Sequence, residues 1–230
     1  MKMYMIFYIV LGIFSSSGQE SKIKIEMKAI SDIFPDLCNE STTYLISPPI
    51  PPPPPPQFDS NGNPIGYDTA SYEKYVEQIK VEIEERKKDT TKYIVAIYDT
   101  LISYESNYND LDSYLTNQSI KDYHEPIKYL YSKTKENRKV DITKIKHGIK
   151  YELRYNSTLP GSEEIWKTEL DFKFLGIFQF SRVYFDTLEN YGVLYSAYYC
   201  GRLCAYGDLI LIKKVNGIWQ IAEKIGLWVS

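Results

Sequence analysis

The sequence predicts an α+β fold in which an N-terminal helix packs on a mainly antiparallel, C-terminal strand-rich sheet. An apolar stripe with helical spacing lies within residues 68–88, and alternating apolar residues typical of strands fill residues 149–230. The chain has 230 residues, of which 43% are hydrophobic and 25% are charged. That length and composition suffice to bury a core, so we expect a folded domain rather than a disordered chain.

The first residues are typical of a secretory signal peptide at residues 1–18. Lys2 supplies the positive start, residues 4–14 are largely apolar, and small residues precede a cut before Gln19. The alternative is a buried N-terminal strand. The apolar run is shorter than the about 20 residues that cross a bilayer, and no later stretch is long and apolar enough. We therefore expect an exported protein, periplasmic or secreted, with no transmembrane segment in the mature chain.

A proline tract divides the mature chain. Residues 48–65 contain Pro51 to Pro56, which favour polyproline II, followed by a polar turn-forming segment. We expect a proline-rich linker at 48–65 that acts as a spacer, and the alternative is a ligand for proline-binding modules. It separates a short N-terminal segment, residues 19–47, from an α+β domain at residues 66–230. The N-terminal segment has the spacing of a short helix but is too small to fold alone.

Three elements open the predicted domain. A helix over residues 68–88 follows from a stripe at helical spacing, and residues 92–101 follow as a buried strand because both of its faces are apolar. A second, weaker helix is predicted over residues 119–132, where Pro126 kinks it or marks its true start. The stripe of the first helix consists of Tyr72, Tyr75, Val76, Ile79 and Ile83.

The strand-rich end carries two local signals. The apolar parity switches near Ser181-Arg182, which predicts a bulge. Asn216-Gly217 lies between two apolar runs and is the strongest short hairpin signal, because this dipeptide accepts the positive φ angles of a two-residue turn. That turn predicts Val215 opposite Ile218.

Cys200 and Cys204 frame a short loop between two predicted strands. In an exported chain this spacing favours a structural disulfide, and a redox thiol pair and half of a metal site are the alternatives. A three-residue loop would set Cys200 opposite Cys204, at the Cα separation of about 4.5–5.5 Å that a disulfide spans, with Gly201 free to adopt a positive φ. Cys38 is then left either buried or available for an intermolecular bond.

The sequence carries no recognisable catalytic motif. It has neither a serine in a small-residue elbow nor a Gly-rich phosphate loop, and its three cysteines and two histidines offer little for a metal site, so we expect no cofactor and no metal. A net charge of −3 gives no basic field for nucleic acid. Glu163-Glu164 beside Trp166 suggest either a carboxylate site with a sugar-stacking ring or, because adjacent side chains point apart, an exposed loop.

Tyrosine is the compositional outlier, at 22 residues, and is concentrated between Tyr191 and Tyr206. Such a cluster suits a ligand or glycan surface, because each ring couples apolar area to a polar tip. Biased composition is the plainer explanation, since Ile, Lys and Asn are also frequent. The partner is unknown, and a protein, a small molecule and a glycan all stay open.

Four C-terminal stretches carry a resemblance. They are residues 180–185 (FSRVYF), 200–207 (CGRLCAYG), 213–219 (KKVNGIW) and 228–230 (WVS). They resemble the end of an uncharacterised group of exported bacterial proteins, with Ala205 standing where that group has glycine. The resemblance covers residues 180–230 and implies export and a sheet-ending domain, but no activity.

The order of helix, strand, helix and antiparallel meander is also similar to NTF2-like cone folds. Such a cone would bind or hydrolyse a small molecule in a concave pocket with a few polar groups, and we place Arg182, Tyr184 and His147 there. The first hypothesis is instead a non-enzymatic exported domain that acts in envelope binding or as a structural or inhibitory partner. The two differ in whether a pocket and turnover exist.

Overall fold

The computed structural model describes residues 22–41, 56–66, 69–88, 90–104, 111–132, 137–161 and 163–230. The predicted signal peptide at residues 1–18 and the first part of the predicted linker, residues 48–55, lie outside these residues, so both stay predictions. Of the helices in the described ranges, none combines the length and the apolar character needed to cross a bilayer.

The predicted helices form close to where their apolar spacing places them, and α3 was not predicted. The stripe at 68–88 gives α2, whereas the weaker helix at 119–132 is split into a 3-10 segment and α4. Pro126 lies in the first turn of α4, where its missing N–H costs no helical hydrogen bond. The α-helices of the described residues are α1 (22–41), α2 (Thr69–Lys88), α3 (Leu111–Thr116) and α4 (His124–Tyr131). The 3-10 helices are Gln118–Tyr123, Ile142–Lys144 and Asn156–Thr158.

One seven-stranded sheet forms the centre of the described chain. Its strand order is β11-β10-β9-β7-β3-β6, and β8 pairs with β9 as well. Strand β3 runs parallel to β6 and β7, and all other neighbours are antiparallel. The strands are β1 (Gln57–Phe58), β2 (Pro64–Gly66), β3 (Tyr93–Ile97), β4 (Thr100–Leu101), β5 (Arg138–Lys139), β6 (Tyr151–Tyr155), β7 (Lys173–Phe180), β8 (Tyr184–Phe185), β9 (Tyr191–Gly201), β10 (Cys204–Val215) and β11 (Ile218–Val229). A mixed, mostly antiparallel sheet with helices confirms the predicted α+β class; the cone stays a prediction.

Helix α1 forms much of the core on one face of the sheet. Its buried side chains repeat at helical spacing, and the Phe34 ring lies edge-on to Phe178, with centroids 5.4 Å apart, and to Phe180. Residues 19–47 were predicted to lie apart from the domain at 66–230, but α1 supplies the apolar face that covers the sheet of that domain. The folded unit therefore includes α1. The buried apolar residues of α1 are Met27, Ala29, Ile30, Ile33, Phe34, Leu37 and Cys38.

On the opposite face of the sheet, the 3-10 segment at 118–123 and α4 cover the C-terminal strands β9 and β10. Ile120 and Tyr123 of the 3-10 segment and Ile127 and Leu130 of α4 are buried against β9 and β10. By contrast, α2 buries Ile79 but leaves Tyr75 51% exposed. The helix that packs most closely on the sheet is thus α1 rather than α2.

The hairpin at Asn216-Gly217 forms as predicted. Both residues adopt positive φ angles, of 51° and 78°, and Val215 lies opposite Ile218. The two-residue turn fixes the register of β10 against β11, which buries Trp219 on the α1 face of the sheet.

Candidate functional site

A bulge after β7 redirects the chain towards α1. Phe180 lies opposite Ser196 and Tyr184 lies opposite Val193, so the three residues 181–183 face only two on β9. This extra residue confirms the predicted bulge. The Ser181 hydroxyl stabilises it by accepting from the Tyr195 N–H, at 2.8 Å, and donating to the Arg182 carbonyl.

The bulge delivers Arg182 to a buried carboxylate on α1. Glu26 is 2% exposed and accepts from Arg182 Nε at 2.6 Å, from Arg138 at 2.7 Å and from the Val183 N–H at 2.8 Å. Arg138 is held there because β5 pairs with β4. The carboxylate therefore ties three distant segments together, and each arginine side chain is itself largely buried, at 15% and 16% exposure.

A cavity of about 540 Å³ opens beside this carboxylate. We call it the Glu26 cavity; its walls are the first turns of α1, the end of α4 and the segment around β8. Arg182 and Tyr184, two of the three polar groups predicted for a pocket, both line it. The other lining residues are Lys22, Ile25, Glu26, Tyr129, Ser132, Val183, Phe185, Asp186, Thr187 and Glu189.

His147, the third predicted pocket group, does not reach the Glu26 cavity. It is exposed in the loop before β6, where its Nδ1 lies 3.2 Å from the Gly148 carbonyl. The neighbouring Lys146 binds Asp32 at 2.6 Å. This contact fixes the loop beside Asp32, which is nearer the C-terminal end of α1 than Glu26 is. Asp32 lies six positions after Glu26 in the helix, which is roughly 9 Å along the axis.

The rim of the Glu26 cavity is held by hydrogen bonds between α4 and the loop after β8. Glu125 accepts from Thr187 Oγ1 at 2.6 Å and from the Tyr129 hydroxyl at 3.0 Å. These hydrogen bonds lower the pKa of Glu125. Asp186 accepts from the Asn190 and Tyr191 N–H groups and closes the same loop. These hydrogen bonds hold the loop after β8 against α4.

Asp32 is a second anchor on α1. It accepts from Lys28, from Lys146 and, at 3.2 Å, from the Trp219 N–H, and its side chain is 1% exposed. Burial acts to raise the pKa of Asp32, but the hydrogen bonds from Lys146, Lys28 and Trp219 outweigh it and hold the pKa below its usual value.

Sequence reasoning missed Glu26 and Arg138. The available signal was the position of Glu26 on α1, where it shares a helix face with Ile30 and Ile33. A charged residue on a buried face needs a partner, and here the partners come from residues 138 and 182, more than a hundred positions away.

The predicted disulfide between Cys200 and Cys204 is present, with Cα atoms 5.1 Å apart. The predicted loop, however, is wrong in detail. Gly201 rather than Cys200 lies opposite Cys204, so the loop contains only Arg202 and Leu203. Ala205 lies opposite Tyr199, which makes Cys200 the extra residue of a bulge. Gly201 also lacks the positive φ that a three-residue loop often needs.

Cys38 lies outside the disulfide and is fully buried on α1. Burial raises the pKa of the Cys38 thiol to about 12, because the thiolate would lose its hydration. Of the two predicted outcomes, the structure shows the buried one, and the burial and the raised pKa predict slow reaction of this thiol at neutral pH.

The predicted tyrosine cluster is divided between the two faces of the sheet. Tyr198 is buried on the α1 face, where its hydroxyl donates to the Leu175 carbonyl at 2.7 Å. Tyr199 points to the opposite face, as the alternation of a strand requires. Tyr206 lies near Tyr198 and its hydroxyl is 2.6 Å from that of Ser41. The cluster therefore forms no single surface.

A second cavity, of about 390 Å³, lies where Tyr199 emerges. We call it the aromatic groove. Glu163 and Glu164 are both exposed in the turn beside it, as the loop interpretation predicts, yet Glu163 and Trp166 help to line it. Its lining residues are Tyr98, Glu163, Trp166, Ile177, Tyr199, Gly201 and Arg202.

Among the described residues, no three His, Cys, Asp or Glu side chains lie together in a way that could hold a metal ion. Comparison of the chain with protein-family models, with curated proteins and with solved structures finds no match. The resemblances to the exported bacterial group and to NTF2-like folds therefore stay predictions.

Proposed function

We propose that this chain is an exported, non-enzymatic binding domain that takes a ligand or a partner segment in the Glu26 cavity. The observation that carries the proposal is the state of Glu26. All three of its donors lie within 2.8 Å, so this carboxylate is engaged in holding the cavity walls together. Because the Glu26 carboxylate already accepts from three donors, the cavity favours binding by shape and hydrogen bonds over proton transfer.

The remaining polar groups of the cavity suit recognition. Tyr129 and Tyr184 present hydroxyls on apolar rings, and the Tyr129 and Thr187 hydroxyls, which donate to Glu125, can still accept from a ligand. Lys22 lies at the start of α1. About 540 Å³ is within the range of about 300–1,000 Å³ that small-molecule sites occupy. A small polar ligand or an extended peptide end fits this description.

Export is supported by the signal-like residues 1–18 and by the disulfide, because such bonds persist in oxidising compartments. Cell fractionation and N-terminal sequencing of the full chain test it. We expect a mature N-terminus at Gln19 in the periplasmic or secreted fraction; an intact Met1 in the cytoplasm would contradict export.

The binding site is tested on the mature chain, residues 19–230, with a small-molecule thermal-shift screen. A ligand at a hundred times its Kd adds about 2.7 kcal/mol, which raises the Tm of a chain of this size by roughly 5–10 °C. We expect Tyr184→Ala to lose the shift of a hit, and Tyr75→Ala, on the exposed face of α2, to keep it. A hit that shifts both variants equally binds elsewhere and overturns the site.

The second candidate is the small-molecule-binding or hydrolytic cone-fold domain. The meeting of Arg182 and Tyr184 in one cavity favours it. Against it, the α1 face of the sheet is filled by Phe34, Phe178 and Phe180, so the cavity lies beside the core rather than inside a cone. Turnover of ester, glycoside or peptide substrates by the mature protein, abolished in Tyr184→Ala, would favour this candidate over the first.

A further inference from the structure

The aromatic groove lies on the face of the sheet that α1 does not cover. On β7 and β9, Phe178 and Tyr198 belong to the α1-side core, so their neighbours Ile177 and Tyr199 face the other way. Ile177 is 1% exposed and forms the floor. The groove is therefore independent of the Glu26 cavity.

The walls of the aromatic groove are aromatic rings that pack against other rings. Tyr98 follows β3 and Tyr199 lies on β9, with ring centroids 6.3 Å apart. Trp166 comes from the turn at residues 163–167 and packs on Phe174, with centroids 5.1 Å apart. All three lining rings are half-buried, so each is fixed by packing and still offers surface to a ligand.

The aromatic surface continues beyond the groove. Tyr199 neighbours Trp228, at 6.4 Å between ring centroids, and the Trp228 Nε1–H donates to the Tyr195 hydroxyl at 3.1 Å. The Tyr195 ring lies 5.2 Å from that of Tyr104. Tyr195 is itself buried and supports Trp228 from beneath, so a ligand longer than one ring meets the partly exposed Trp228 along the same face.

Two of the lining residues are charged, one of each sign. Glu163 has an 89% exposed side chain and accepts from Lys167 at 3.3 Å, and Arg202 is exposed at the tip of the hairpin that the disulfide closes. The Tyr199 hydroxyl donates to Gln179 Oε1 at 3.2 Å. A carboxylate accepts from hydroxyl groups and a guanidinium donates to them, so this rim suits neighbouring hydroxyls on an uncharged ligand.

These features define the ligand chemistry. Flat rings require a ligand with an apolar face, the rim requires hydroxyl groups at the edge, and the balanced charges favour neither an anion nor a cation. A pyranose ring meets all three, because its C–H groups form apolar faces and its hydroxyls form the edge. We infer that the aromatic groove binds a neutral oligosaccharide, stacked on Trp166 and Tyr199 and hydrogen-bonded to Glu163 and Arg202.

Isothermal titration calorimetry on residues 19–230, with the disulfide intact, tests the inference. The probes are soluble gluco-, xylo-, manno- and chito-oligosaccharides, each up to about 10 mM, a range that detects dissociation constants near 1 mM. We expect at least one to bind. Absence of binding across the panel overturns the inference.

Variants locate the site. Trp166→Ala and Tyr199→Ala are each expected to weaken binding about tenfold or more, because each removes a stacking ring. Tyr75→Ala, a matched change on exposed α2, is expected to leave the affinity unchanged. Circular dichroism identifies any groove variant that misfolds, and Tyr98→Ala then takes its place. Equal affinity in all folded variants places the sugar elsewhere and overturns the inference.

Two further probes separate the alternatives. An acidic oligosaccharide is expected to bind more weakly than its neutral counterpart, and tighter binding of the acidic one contradicts the charge argument. Hexaproline is expected not to bind; binding of hexaproline that is lost in Trp166→Ala would make the groove a polyproline site instead and overturn the inference.

Discussion

Arg182 Nε donates to Glu26 at 2.6 Å across 156 positions of sequence, and the same carboxylate takes a second arginine, Arg138. This contact couples the first described helix to the bulge that bears the candidate ligand groups. Because the carboxylate is 2% exposed and both arginines are largely buried, removing its charge takes away the anion that two poorly hydrated guanidinium groups share.

Replacing Glu26 with Gln should therefore lower the free energy of unfolding by about 3–5 kcal/mol, the usual cost of removing one partner from a buried ion pair. Urea unfolding of residues 19–230 measures it. Glu164→Gln, on an exposed turn, is the matched control and should change stability by less than about 0.5 kcal/mol. Equal stability of both variants would show that the buried network contributes nothing.

Removing α1 should prevent folding of the remaining chain. Seven buried apolar residues of α1 cover the sheet, and burial on that scale contributes on the order of 10 kcal/mol, as much as the whole stability of a typical domain. A fragment of residues 66–230 should show no cooperative unfolding transition, and a peptide of residues 19–47 should restore one. The same peptide with Ile30→Asp and Phe34→Asp should not. A fragment that melts cooperatively by itself would support the predicted domain boundary at residue 66.

The stability of the protein should depend on the charge of Asp32 in acid. Its pKa is lower in the folded state than the unperturbed value of 3.8, so its contribution is present above that value and is lost as the pH falls through the folded pKa. The difference in stability between the natural chain and Asp32→Asn should thus shrink between about pH 5 and pH 2. Unfolding curves across this range measure it, and a difference that grows in acid would reverse the assigned direction.

Alkylation without reduction should label one cysteine. In denaturant, mass spectrometry of the exported protein should find the label on Cys38 alone, and in the native state Cys38 should react slowly because it is buried and its pKa is raised to about 12. Labels on Cys200 and Cys204 would contradict the disulfide. Because the bond closes a short loop, replacing both residues with Ser should cost only roughly 2 kcal/mol.

Gly176 should tolerate no side chain. Its φ is +153°, and a Cβ there would lie 2.5 Å from the Tyr199 carbonyl oxygen and 2.7 Å from the Tyr198 ring. Gly176→Ala should destabilise the fold by about 3 kcal/mol, from backbone strain and overpacking together. Gly161→Ala, where no atom lies within 4 Å of the added methyl, is the control for thermal melting. Similar melting temperatures of the two variants would contradict the close approach.

The features that sequence reasoning predicted are those fixed by local chemistry. The turn at Asn216-Gly217, the parity switch at Ser181-Arg182 and the cysteine pair each depend on residues within a few positions of one another. The role of α1 and the Glu26 contacts could not be predicted, because they depend on which distant segments the sheet brings together. His147 was misplaced for the same reason, since Lys146 binds Asp32 on α1. The bulge beside Cys204 shortens the loop by one residue, and the spacing of the two cysteines in the sequence cannot show this.

The position of β3 determines when the protein can fold. This strand is early in the sequence, yet both its neighbours, β6 and β7, are synthesised after it, and α1 waits for the same later strands. While a ribosome is still making the first half, α1 and β3 have only each other to bury against, because the other strands of their core have not been made. Contacts this distant in sequence also slow folding, because long loops must close first. A nascent chain of this design stays open until its last third emerges, which is the state in which a polypeptide can be threaded through a translocation channel.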